Sequence, residues 1–144
     1  IMARHVGAAS YPELEMRRGG SFAGSAWNGA ASLALFLLLA AVTLPLWLFP
    51  PLWPLLSLGL LAFLNQRVFG YDALAEHAAA AEIVSILRAH RGALLALGAA
   101  VALASHIPFA GFFAPVYGGL AFIHFALARL QELRAGAYLH EGRP

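Results

Sequence analysis

The chain has 144 residues, 61% apolar and 11% charged, with a formal net charge of +2. A soluble domain carries about 25% charge, so this composition leaves too little polar surface to face water and makes lipid the natural solvent. Cysteine is absent, which excludes a disulfide framework, a thiol nucleophile and a Cys-type metal site, and the nine basic residues, all arginine, are too scattered to form the basic face of a nucleic-acid reader.

Residues 1–20 are a polar opening. Ser10-Tyr11-Pro12-Glu13 has the capping-box spacing, which predicts a short surface helix from Pro12 to Arg18, broken by Gly19-Gly20. The stretch IMARHVGAASYPELEMRR reads as mid-protein sequence, and a further N-terminal part is expected before it.

Residues 21–69 predict a first transmembrane hairpin. A bilayer core about 30 Å thick needs about 20 helical residues, and the run from Ser21 to Phe49 supplies them without a charged residue. Gly20, Gly24 and Asn28 recur at four-residue spacing, a face on which another helix packs closely, with Asn28 as interhelical glue. Pro45 should kink this helix. Trp47, Phe49, Pro50, Pro51, Trp53 and Pro54 then read as a tight turn at the far side, anchored by its tryptophans. Leu52–Phe69 returns and ends in Asn65-Gln66-Arg67, where the amides and guanidinium either coordinate a solute or mark the interface.

Residues 70–91 carry the only dense internal charge. Gly70-Tyr71-Asp72 is expected to turn and cap a helix over Ala73–Ala89, with Ile83, Val84, Ile86 and Leu87 on its apolar face. Two glutamates and an arginine make it an interfacial helix rather than a span. His77 and His90, on or beside it, read as surface residues.

Residues 92–128 are again free of charge and predict a second hairpin. Its first arm, Gly92–Ile107, is about 24 Å long, short of the core. Pro108, Gly111 and Pro115 interrupt the pattern before FFAPVYGGLAFIHFALARLQEL, so the pair either crosses fully or penetrates partway. His106 and His124 are ionisable side chains at possible membrane depth and hence functional candidates. Residues 129–144 read as a polar tail, frayed from Gly136 on.

The arginines fall before the first hairpin, between the two hairpins and after the second, whereas neither hairpin tip is charged. The positive-inside rule then places both termini in the cytoplasm. The fold class expected is all-α, a single polytopic membrane domain over residues 1–144. No HExxH, CxxC, P-loop or nucleophile-elbow motif occurs. No enzyme activity, metal or cofactor is expected. Arginines and helix starts are the usual hosts of anions, which makes Asn65, Arg67, Arg88 and Arg91 candidates for an anion path, with His106 beside them.

The run LNQRVFGYDALAEHAAAAE, the close LRAHRG and the segment HIPFAGFFAPVYGGLAFIH follow one another in an order that resembles the etoposide-induced-protein/CysZ family of membrane proteins. ELEMRRGGSFAGSAWN and LPLWLFPPLWP fit the same pattern, so the resemblance covers nearly the whole chain, as the later part of a family member. It implies an α-helical protein of the bacterial inner membrane, with long spanning helices and a partly penetrating pair, that assembles as a homo-oligomer and moves a small inorganic anion such as sulfate. The family's anion-binding segment lies toward the N-terminal part, so no sulfate ligand is carried over by position. A non-transporting membrane scaffold or assembly protein is the alternative.

Overall fold

The computed structural model describes residues 2–17 and 19–141, with the side chains of 138–141 left aside. Six α-helices make up the fold: α1 (Met2–Ser10), α2 (Phe22–Val42), α3 (Trp53–Leu74), α4 (Ala80–Ala89), α5 (Arg91–Ser105) and α6 (Ala110–Glu141), with no strand among the described residues. The stretches Phe22–Val42, Pro50–Leu74 and Ala110–Ala137 are each long and apolar enough to cross a membrane, and α4 and α5 together form a fourth candidate bent by 77°. The fold is therefore that of an all-α polytopic membrane protein.

The Ser21 hydroxyl starts α2 by accepting the Gly24 N–H at 3.0 Å. Pro45 does not kink this helix but ends it: α2 stops at Val42 and the chain continues as two 3₁₀ turns, Leu44–Leu48 and Pro50–Leu52. Proline has no N–H to extend the ladder. Indole bonds lock the tip, Trp47 Nε1 donating to Thr43 Oγ1 at 3.3 Å and Trp53 Nε1 to the Trp47 carbonyl at 2.7 Å.

Helix α3 is the centre of the bundle, packed on α2, α5 and α6. It runs through the turn expected at Gly70-Tyr71-Asp72 and ends only at Leu74. Gly70 is buried in the helix, where Leu87 of α4 closes to 3.0 Å of the position a Cβ would take. Burial of that contact overrides the weak turn signal of a lone glycine. Helix α4 is accordingly shorter than the expected 73–89.

The first twenty residues also differ from expectation. The helix there is Met2–Ser10, and Pro12–Arg17 is a turn followed by irregular chain. Gly19 and Gly20 are close-approach residues rather than helix breakers. Their N–H groups donate to the Ala78 and Ala75 carbonyls at 2.8 and 2.9 Å, and a Cβ on either would overlap that turn.

At the second tip, Phe109 takes the left-handed conformation at φ 64°, and α6 then runs unbroken past Pro115 to Glu141. The expected fraying from Gly136 is not seen up to Glu141; residues 142–144 lie outside the described part. Gly98 of α5 meets Ala62 of α3. From there α5 runs on to Ser105 while α3 runs back to Trp53, so both uncharged tips lie at one end of the bundle.

Leu74, Leu94, Phe122, Leu127 and Leu130 are fully buried, and they gather at the opposite, arginine-bearing end. Toward the tips the bundle is turned inside out. Leu33, Leu37, Leu38 and Val42 of α2 are all exposed, and Ser32 is the only buried residue of that helix. A helix with apolar residues outward and a hydroxyl inward is built for lipid.

Candidate functional site

A polar seam joins α2 to α3. Ser25, Asn28 and Ser32 are spaced three and four apart, which puts them on one helix face. The Asn28 amide donates to the Arg67 carbonyl at 3.1 Å, and Arg67 Nε donates to the Ser32 hydroxyl at 3.2 Å. The guanidinium also lies 5.9 Å from the Phe63 ring centroid. In lipid, close packing and interhelical hydrogen bonds hold helices together, and these bonds add to the packing of α2 on its one large neighbour. Asp72 is not a helix cap: it lies inside α3, exposed, in the last turn before the helix ends.

Of the five residues singled out from sequence, only Arg67 belongs to the seam. Asn65 faces the other side of α3, where its amide donates to the Gly98 carbonyl at 3.2 Å and ties α3 to α5. Arg88 and Arg91 are exposed on either side of the α4–α5 bend. His106 is exposed at the second tip, its Nδ1 2.7 Å from the Ala102 carbonyl. The five do not converge. Asn28 is the interhelical glue expected of it. Ser32 was not singled out for a site, although the 25/28/32 spacing was the available signal.

A second polar centre lies below the seam and ties four separate stretches together. Arg134 of α6 bonds Glu82 of α4 with Nε and Nη2, both at 3.0 Å, and donates to the backbone carbonyls of His77 at 2.8 Å and Glu15 at 3.0 Å. Arg17 adds a contact to Glu82 at 3.3 Å. Glu82 also accepts the Ala79 N–H at 2.7 Å, which starts α4. No sequence pattern pairs residues this far apart.

His77 is not a surface residue. It is 2% exposed, its ring packs on Gly7 of α1, and its Nδ1 has no partner among the described residues. It sits in the turn after α3, outside the three long spans. Burial holds its pKa below the ordinary imidazole value of about 6.5; Glu76 opposes this, and Arg134 and Arg4 reinforce it. The Glu82 carboxyl is held below its ordinary value, chiefly by the Arg134 hydrogen bond.

Both shifts act in one direction. In the window below about 6.5 the unfolded chain binds a proton at His77 that the folded chain refuses, so this contribution is complete above that pH and falls on acidification. The Glu82 contribution is present above its ordinary value near 4.5 and is lost as pH drops through its lowered folded value. Melting temperature in detergent is therefore expected to decline in two stages. His77→Gln should flatten the decline that begins below about pH 6.5 and leave the lower stage. An unchanged upper slope in that variant would show that another group titrates there.

The family model described as "Sulfate transporter CysZ/Etoposide-induced protein 2.4" matches residues 1–115. No curated protein matches the chain. No solved structure matches it either. The match takes in α1 to α5 and the whole α2–α3 seam, while Arg134 lies beyond it. With most of its length matched and the helical membrane architecture in place, the chain belongs to the CysZ/etoposide-induced protein 2.4 family.

Proposed function

We propose that the protein is a permease, not an enzyme, that moves a small inorganic anion such as sulfate across a bacterial inner membrane. In this reading it works as a homo-oligomer with both termini in the cytoplasm, the side on which the arginines gather. The observation that carries the reading is Arg67. Its guanidinium lies in the first spanning hairpin and bonds a buried hydroxyl. Among the described residues it has no carboxylate at ion-pair distance, whereas Arg4, Arg17, Arg129 and Arg134 each have one. An arginine in that setting is costly, and its planar fork suits an oxyanion. The family's description names sulfate transport, which supports the choice of anion.

The test is uptake of radiolabelled sulfate into proteoliposomes. Arg67→Gln is expected to lower the rate about tenfold, the worth of one charge-assisted hydrogen bond, and Arg67→Lys should retain part of it. Unaltered uptake in Arg67→Gln would remove that residue from the path. Folded, inserted wild-type protein that moves no sulfate would sink the reading and favour a membrane scaffold.

A further inference from the structure

Ser32 and His77 are the only buried polar residues among those described, and of the two only His77 can take a proton. We propose that His77 is a pH-sensitive latch for α1: the neutral ring seats the helix, and the protonated ring releases it while the rest of the bundle stays folded.

Helix α1 has few other fastenings. Its buried residues are Ala3 and Gly7, four apart and so on one face, and neither carries a large side chain into the core. Nine residues are too few to hold a helix in isolation, so α1 depends on its docking. The missing side chain at Gly7 admits the imidazole. A Cβ there would overlap His77 Nε2 and lie 2.8 Å from Cε1. The other ring nitrogen, Nδ1, is buried without a partner among the described residues. Besides the partly buried Val6, the remaining ties are the partly exposed Arg4–Glu76 pair at 3.5 Å and the Tyr11 hydroxyl, which donates to the His124 carbonyl at 3.1 Å.

The chain after α1 is fastened separately. The Arg17 N–H donates to the His77 carbonyl at 3.3 Å, the Glu15 carbonyl accepts from Arg134, and Gly19 and Gly20 bond the Ala78 and Ala75 carbonyls. None of these bonds uses the imidazole. The turn at Pro12-Glu13 separates the two parts and is where the chain can give. Met2, Ala3 and Arg4 also form one wall of a cavity of about 650 Å³ completed by α2, α3 and α6, so release of α1 removes that wall.

The surroundings of the ring set the direction. Burial opposes a proton most, Glu76 beside it favours one, and Arg134 of α6 and Arg4 of α1 oppose it. Arg17 and Glu82, the charged groups next to Arg134, are paired with each other, and Glu82 with Arg134 as well. When α1 leaves, the ring gains water and loses Arg4, and it takes a proton near its ordinary value. Opening is therefore favoured as pH falls below about 6.5. His5 and His124 are exposed with α1 docked, so their protonation does not require the helix to leave.

Hydrogen–deuterium exchange of the protein in detergent, read by mass spectrometry and normalised for the intrinsic effect of pH, tests the latch. From about pH 7.5 to about 5.5 the protection of α1 should fall about tenfold, the change in proton uptake of an ordinary imidazole over that range. Protection of α3 and α6 should hold. His77→Gln should cancel the pH dependence. Gly7→Leu, which wedges α1 off the ring and leaves every charge in place, should strip α1 of protection already at the higher pH. Equal protection of wild-type α1 at both pH values would overturn the proposal, as would a pH dependence that survives His77→Gln. A parallel fall in α3 and α6 would overturn it too, because the whole fold would then be opening. The wild-type profile alone decides two of these outcomes, whether or not a variant folds.

Discussion

Arg134→Met is expected to destabilise the folded protein by about 3 kcal/mol, the usual cost of removing one partner from a buried ion pair. The Arg134 side chain is 11% exposed and that of Glu82 15%, so the carboxylate left behind could not be rescued by water. Two backbone carbonyls, of His77 and Glu15, would lose their donor as well. The loss falls on the joint between α6, α4 and the N-terminal stretch. Circular-dichroism melts in detergent measure it. Glu82→Gln combined with Arg134→Met should recover much of the deficit, because the amide still accepts from Ala79 and no charge stays stranded. If the double variant instead loses the sum of the two single losses, the pair is not coupled.

Gly98→Val is expected to cost about 2–3 kcal/mol, in the upper range for overpacking a tight interface. A Cβ at Gly98 would overlap the Ala62 carbonyl oxygen and crowd the Gln66 N–H at 3.2 Å. Both are backbone groups of α3, which cannot rotate away as a flexible side chain can. The helices must separate, and the bond from Asn65 to the Gly98 carbonyl goes with them. Gly59, on the same helix α3, has nothing within 4 Å of its Cβ position. Gly59→Ala should therefore be neutral or stabilise by roughly 0.5–1 kcal/mol. Equal melting temperatures for the Gly98 and Gly59 variants would mean that α3 and α5 are not in contact as described.

The two polar centres differ in how far sequence could reach them. Asn28 was legible as glue because an amide inside an apolar run has few uses other than bonding across helices. Arg67 was legible as the sole charge near the end of its run. Its partner Ser32 was not, since a serine in a helix that is apolar all round gives no sign of which side faces protein. Gly19 read as a breaker because sequence cannot distinguish a glycine that bends the chain from one that admits another stretch of backbone, whereas the spacing of Gly20 to Gly24 and Asn28 also marked Gly20 as a close-packing position, as it is against Ala75. Gly70 and Asp72 read as turn and cap for the same local reason, and burial under Leu87 outweighed it.

Composition and charge spacing alone determined the solvent, the helical class and the grouping of arginines at the ends of two apolar hairpins, because the price of charge in lipid is written residue by residue. Tertiary structure alone decided that α3 runs on through Gly70 to Leu74, which of the candidates face one another and which histidine is buried. It also decided that Glu82 meets Arg134. Those outcomes depend on pairings between residues far apart in the chain, and no local preference encodes them.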